Sequence, residues 1–393
     1  MRTIPTGLFF SFYNAPESFL IESSTFQRNW GAAVDGNGSG RKVTLRNCKF
    51  RDNNYPIVAL ISVSQAEVRI VNCTVTNNFD VTFFLPDFSG LFVAENCTVT
   101  QQKGAGVLFL IGTDQTACQV ALHNLQIADS NTTAENMAHR LYNIFIRTCT
   151  VHISNIAVTN VSLTGVPPSS GSNTFLFFVS QVWMTNITVI GSKADLCLFN
   201  AYFSTLFLSD FLVDGFTMSL SLFFIGGANT AHLRNADIRR VSSVSIIFSS
   251  YLPYKTLHFA MYNSDITIQN VTVLHTTLQL GPCFAFVFSN YSISSISLVR
   301  VSIGSVLMSS ESFGLASDLY MDRIVANMHA FVTSNSALTL SNVTLANSQI
   351  LAKSAFLMGT TEANITNFTV INCSMEAFLI YTESEIVVVN VTI

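Results

Sequence analysis

Val-Arg-Ile-Val-Asn-Cys-Thr-Val at 68–75 returns as Ile-Thr-Ile-Gln-Asn-Val-Thr-Val at 266–273 and as Leu-Thr-Leu-Ser-Asn-Val-Thr-Leu at 338–345. The fifth residue of the motif is its pivot. Working outward, pivots fall at Ser23, Asn47, Asn72, Asn96, Asn124, Asn155, Asn186, Asp210, Asn235, Asn270, Arg300, Arg323, Asn342, Asn367 and Asn390. The first and last lie 367 residues apart over fourteen intervals, a mean of about 26, which is a solenoid period.

Two columns of this repeat are apolar in every copy. Two residues before the pivot the column runs from Ile21, Leu45 and Ile70 to Leu340, Ile365 and Val388. Three residues after it, the column runs from Phe26, Phe50 and Val75 to Leu345, Val370 and Ile393. Between pivot and second column, Thr25, Thr74, Thr98, Thr188, Thr272, Thr344, Thr369 and Thr392 recur. Such alternation marks a strand with one buried face. Inward positions are −4 and −2, then +1 and +3, so the phase slips by one residue at the pivot. An unbent strand would then turn its side chains to the wrong face. Two short strands must therefore meet there at an angle. Asn accepts the left-handed backbone of such a bend better than other non-glycine residues. Its carboxamide can also bond the Asn one coil above and below, which makes an inward, bonded pivot the expectation.

About ten residues before each motif stands an aromatic phrase: Phe175, Phe177 and Phe178; Phe223 and Phe224; Phe284, Phe286 and Phe288; then Phe331, Phe356 and Phe378. Stacked in register, these rings would fill the coil. Short strands without intervening amphipathic helices leave few architectures besides a β-helix. Parallel crossovers are overwhelmingly right-handed. The expectation is an all-β, right-handed parallel β-helix of about 15 coils, roughly 26 residues each, with three short strands per coil. A single domain over 1–393 with uncapped ends is expected, because no shift in composition divides the chain. Longer intervals mark side loops, after Asn96, Asn124, Asn155, Asn235 and Asn270. The segment 166–173, with Pro167, Pro168 and Gly171, is another.

Coil length, Asn pivot and aliphatic columns together resemble the pectin-lyase-like parallel β-helix superfamily. Within it, the chain is most similar in style to the repeat-built surface proteins of protists and bacteria. The resemblance covers nearly the whole chain and implies a fold more than a function, since lyases, hydrolases, adhesins and fibres share this architecture.

Composition narrows the function. Charged residues make up 11% of the chain, against about 25% in an average domain, and net charge is −4. No basic block is present, which argues against nucleic acid. Polarity falls instead on 81 Ser plus Thr and 32 Asn. Mean hydropathy is +0.43, yet every apolar run breaks within a few residues. Even 174–191 contains Ser180, Gln181, Thr185 and Asn186, so no transmembrane segment is expected.

Thirteen Asn-X-Ser/Thr sequons point to N-glycosylation. Asn37, Asn131, Asn160, Asn290, Asn364 and Asn372 lie off the pivot and are the better acceptors. Asn72, Asn96, Asn186, Asn270, Asn342, Asn367 and Asn390 are pivots, where an inward side chain would accept poorly. Eight cysteines show no zinc spacing. Cys118 and Cys149 stand six residues before successive pivots, at a spacing that admits either a disulfide or two free thiols. Cys48, Cys73 and Cys97 each follow a pivot and read as buried thiols.

Enzymes of the resembled fold use Asp with Arg or Lys on an outward face. Here three charged groups occur: Glu22, Arg46, Arg69, Glu95 and His123; Arg234, Asp237, Arg239 and Arg240; and Asp318, Asp322 and Arg323. Each alternates in sign or lacks paired carboxylates, as surface ion pairs do. The expectation is therefore a non-enzyme without cofactor: an extracellular structural or adhesive β-helix, secreted or on a cell surface. It would carry covalent glycans, self-associate end to end, and meet carbohydrate or cell-surface partners. The alternatives are a polysaccharide lyase or glycoside hydrolase, and a carbohydrate-binding module.

Overall fold

The computed structural model describes residues 11–12, 18–28, 34–36, 42–54, 58–60, 66–79, 83–86, 88–103, 109–112, 118–134, 142–165, 172–218, 221–227, 230–243, 246–249, 264–278, 281–351 and 354–393. Every secondary-structure element among them is a β-strand. The chain forms two compact units, Met1–Phe199 and Asn200–Ile393.

In the first unit one parallel sheet runs through Phe83–Pro86, Phe109–Gly112, Tyr142–Arg147 and Asn173–Phe178. The second sheet is the bent one. Its early coils are split at the pivot, as in Ala66–Val71 and Thr74–Thr76, while Cys118–Ala128, Cys149–Thr159 and Gln181–Ile190 are continuous through it. A short third sheet joins Asn131–Ala134, Ser162–Gly165 and Lys193–Ala194.

The second unit repeats the plan. Its bent strands are Thr205–Asp214, Thr230–Arg239, Ser264–Leu274, Ser289–Val299, Phe313–Asp322, Ala337–Ala346, Glu362–Ile371 and Glu385–Thr392. Cα partners Thr205, Thr230, Asp265, Asn290, Phe313, Ala337, Glu362 and Glu385 follow at 23–25 residues, save one interval of 35. Within that interval, 250–263 lies outside the described residues.

The predicted columns hold. In Ser264–Leu274 the buried residues are Ser264, Ile266, Ile268, Val271 and Val273, at −6, −4, −2, +1 and +3 from Asn270. Asn270 itself has φ 59°, and the other Asn pivots range from 52° to 55°. A left-handed backbone thus absorbs the phase slip.

Two of the fifteen pivots are misplaced in the sequence reading. The bends of their coils are at Ser295 (φ 54°) and Asp318 (φ 53°), not at Arg300 and Arg323. The cause is geometric. Each coil has a second left-handed bend five residues after the pivot, seen at Asp52, Asn77, Asn160, Arg240, Arg300, Arg323, Asn347 and Asn372. Inward positions +1 and +3 of the first bend are −4 and −2 of the second, so the same apolar signature surrounds both. With Ser295 restored, the long interval after Asn270 shrinks to 25 residues.

A third left-handed bend stands seven residues before the pivot, as at Thr148, Val179, Glu311, Asn335 and Thr360. One residue after these outer bends a hydroxyl ladder runs inside the wall, so that two ladders flank the pivot. Ser192 Oγ donates to the Ile190 carbonyl (3.0 Å) and accepts the Val161 N–H of the preceding coil (3.1 Å). Ser312 Oγ does the same for Ser310 and Ser289 (2.7 and 3.1 Å), and Ser348 Oγ for Ala346 and Ile324 (2.6 and 3.0 Å). Buried amides at a tight bend need partners. One hydroxyl satisfies two backbone groups, which explains buried Ser where the aliphatic column stops.

The aromatic phrases are mostly core, with Phe378 half-buried. Phe331 stacks on Phe356 at 4.8 Å, and Phe368 and Phe378 meet Phe356 edge-on at 5.3 and 5.2 Å. Phe83 stacks on Phe109 at 5.1 Å in the first unit. Phe178 and Phe288 differ: the Arg147 guanidinium lies 5.4 Å from the Phe178 ring, and Phe288 is 37% exposed.

Candidate functional surface

Pivot Asn side chains point outward, not inward. Asn72, Asn96, Asn186, Asn270, Asn342, Asn367 and Asn390 are all exposed. Their carboxamides nonetheless form ladders, in which Nδ2 donates to the Oδ1 one coil earlier. Asn186 donates to Asn155 (2.7 Å), Asn155 to Asn124 and Asn124 to Asn96 (2.9 Å each). In the second unit Asn270 donates to Asn235, Asn367 to Asn342 and Asn390 to Asn367. The inward orientation expected of the pivots is therefore not found, while the expected bonding from coil to coil is.

Among the off-pivot sequons, Asn160, Asn290 and Asn372 also sit in ladders, donating to Asp129 (3.2 Å), Asp265 (2.9 Å) and Asn347 (2.9 Å). Asn131 and Asn364 are exposed. Asn37 lies outside the described residues.

Cys118 and Cys149 are direct Cα partners on adjacent coils and form a disulfide across a separation of 31 residues. Closing a loop of that size stabilises a fold by about 2–4 kcal/mol through the unfolded chain. The Cys118→Ser/Cys149→Ser variant is expected to lose that amount in denaturant titrations and to become indifferent to reductant. Cys48, Cys73 and Cys97 are buried thiols; burial raises the Cys48 thiol above its ordinary range, and the neighbouring Cys97 thiol, with burial second, raises that of Cys73. Their Sγ atoms contact the Arg46, Val71 and Glu95 carbonyls at 3.2–3.4 Å.

The charged groups separate into pairs. Glu22 meets Arg46 at 3.7 Å, and Glu67 meets Lys42 at 3.1 Å as well as Arg69. His123 Nδ1 lies 2.7 Å from Ser154 Oγ. Asp237 pairs with Arg239, and Asp214 with Arg240. Asp318 accepts from Asn342 at 3.1 Å, while Asp322 accepts from Asn347 at 2.8 Å and lies 3.5 Å from Arg323. Among the described residues, no three His, Cys, Asp or Glu side chains gather as metal ligands would.

Hydrogen bonds from Arg69 and Lys42 hold the Glu67 carboxyl below its ordinary range, and those from Arg240 do so for Asp214. A carboxyl depressed on folding contributes stability above its unfolded pKa, near 4, and loses it as pH falls through the lower folded value. Stability measured from pH 6 down to 3 should therefore fall less steeply in Glu67→Gln and Asp214→Asn than in the parent.

Two outward aromatic pairs escaped the sequence reading. His152 and Trp183 stack at 4.8 Å on the first unit, and Phe207 and His232 at 5.1 Å on the second. The second unit also has a solvent-open depression of about 420 Å³, lined by Asp265, Asn290, Ser292, Phe313 and Leu315. An adjoining recess is bordered by Phe288 and Glu311. Phe313 and Leu315 are 68% and 57% exposed. They occupy outward positions −5 and −3 from Asp318. Counting from Arg323 assigned them no face, so the misplaced pivot hid them.

Residues 10–124 match a family model described as a right handed beta helix region. The chain is a right-handed parallel β-helix. No curated protein matches this β-helix in sequence. Among solved structures it is similar to the PfbA surface adhesin of Streptococcus pneumoniae, at 9% identity and TM-score 0.27, covering 89% of this chain and 82% of that one. It is also similar to the A-module of the mannuronan C-5 epimerase AlgE6 of Azotobacter vinelandii, at 10% identity and TM-score 0.20, covering 77% and 90%. A third is the siphovirus 9NA tailspike receptor binding domain, at 7% identity and TM-score 0.23, covering 95% and 72%. At these scores none of the three bears on what this β-helix does. Among its described residues, no helix is long and apolar enough to cross a membrane.

Proposed function

We propose that this β-helix is an extracellular structural or adhesive protein whose outward faces present hydroxyls, carboxamides and N-linked sugars. One observation carries the reading: five outward acidic groups are engaged within the wall. Glu67, Asp214 and Asp237 are held by arginines, and Asp318 and Asp322 by ladder asparagines. A general acid or nucleophile needs a carboxylate open to substrate. What these faces offer freely is Ser, Thr and Asn, including exposed sequons at Asn131 and Asn364.

The test is the protein secreted from a eukaryotic host, analysed by glycopeptide mass spectrometry and by binding to cell surfaces. Occupied sequons and cell binding without turnover are expected. Cleavage of polygalacturonate that disappears in Asp237→Asn or Asp322→Asn would replace this reading with an enzymatic one. The stacked outward rings favour a carbohydrate-binding module as a second reading, since sugar faces pack on such surfaces. That reading requires glycan-array binding abolished by Trp183→Ala.

A further inference from the structure

The depression on the second unit brings two features together. Its floor carries the sequon Asn290-Tyr291-Ser292, with Asn290 exposed and Tyr291 turned into the core. Its next coil carries the exposed apolar residues Phe313 and Leu315. The register is direct: Asn290 is the Cα partner of Phe313, and Ser292 of Leu315. The flanking coils place small or polar groups in these two outward columns, namely Asp265 and Thr267 before the sequon and Ala337 and Thr339 after Phe313 and Leu315. A paired large apolar step thus stands beside the sequon, one inter-strand spacing away. Apolar side chains exposed side by side offer a face on which a covering group can pack.

We propose that Asn290 carries an N-linked glycan whose first sugar lies in this depression, its C–H face over Phe313 and Leu315. The inference rests on the glycoprotein reading above and specifies how one site is used. Transfer would come from a lipid-pyrophosphate-linked oligosaccharide. The C1–Nδ2 bond forms, the C1–O bond to pyrophosphate breaks, and one Nδ2 proton leaves with the pyrophosphate. The remaining N–H continues to donate to Asp265 Oδ1, now 2.9 Å away, and so fixes the glycosylated carboxamide. A depression of about 420 Å³ is within the size range of small-ligand clefts. Covering Phe313 and Leu315 removes apolar area from water, the same driving force that fills the core.

The experiment uses the full chain secreted from a eukaryotic host. Occupancy is read at every sequon, and each glycan is then released by endoglycosidase from the folded protein. The Asn290 glycan is expected to be released at least tenfold more slowly than those on Asn131 and Asn364. Phe313→Ser/Leu315→Ser, which leaves the sequon intact and alters only exposed side chains, should bring its release to their rate. Ser292→Ala, which keeps Asn290 and its bond to Asp265, should increase binding of an apolar dye. An unoccupied Asn290 beside occupied sequons elsewhere overturns this inference and leaves the proposed function standing. Absence of glycan at every sequon overturns both. Release at the Asn131 rate, unchanged by the serine variant, shows a glycan that ignores the depression. Capture of a free oligosaccharide by the Ser292→Ala protein would assign the depression to a ligand instead.

Discussion

Phe331→Ala is expected to cost the second unit about 3–5 kcal/mol, the range for emptying a buried phenylalanine site. Phe331 is fully buried, and its ring lies nearly parallel to Phe356, with the Phe368 ring 6.2 Å away and edge-on. The cavity would be walled by rings fixed in turn by their own coils, so collapse around it is limited. In a solenoid each coil is stabilised by its neighbours. Loss at one coil should therefore loosen those on either side. Hydrogen exchange is the measurement: amides of Phe331–Ser334 and of Ser354–Gly359 should lose protection together. Phe331→Leu, which refills most of the volume, should recover the larger part of it. Exchange confined to the mutated coil would contradict coil-to-coil coupling.

Gly314→Ala is expected to be almost as damaging, for the opposite reason. Gly314 occupies the inward −4 position before Asp318, a column otherwise held by larger side chains. The Tyr291 ring of the preceding coil fills its place: an added Cβ would stand 2.0 Å from Tyr291 Cζ. That ring cannot give way easily. It is 3% exposed and stacked on Phe286 at 4.1 Å, and burial pushes its hydroxyl up to about 12. Overpacking of a fixed core costs about 3 kcal/mol. Tyr291→Leu should lose packing alone, yet combined with Gly314→Ala it should cost less than the sum of the two. A coupling of about 2 kcal/mol in the double-mutant cycle is the signature. Simple additivity would show that Tyr291 and Gly314 do not share the space.

Most of the fold was legible because one physical rule repeats. Apolar residues at −4, −2, +1 and +3 and an Asn that tolerates a left-handed backbone are enough to place the bent strand. The same rule produced the error at Arg300 and Arg323. A coil bends more than once, and a window of eight residues cannot distinguish the bend at Ser295 from the one five residues later. Period could have done so, since the interval from Arg323 to Asn342 is 19 residues, shorter than any coil. The direction of the pivot side chain was not legible either. Hydrogen bonding to the next coil suggested burial, whereas Asn270 and its neighbours bond along the outside of the wall. The surface around Asn290 was half visible: the sequon is a local string, but its apposition to Phe313 depends on registering two coils correctly.

The hydroxyl ladders give the wall an arrow. In each rung the amide belongs to the earlier coil and the hydroxyl to the later one, as with Val161 and Ser192, Ser289 and Ser312, or Ile324 and Ser348. Translation delivers these coils in the same order. While the chain is being made, the newest completed coil holds a bend amide whose partner has not yet been synthesised, and this amide is satisfied only when the following coil folds onto it. Assembly therefore advances as a moving front with a fixed direction. The exposed front, rather than any finished coil, is the part of the nascent molecule that a folding helper would need to shield.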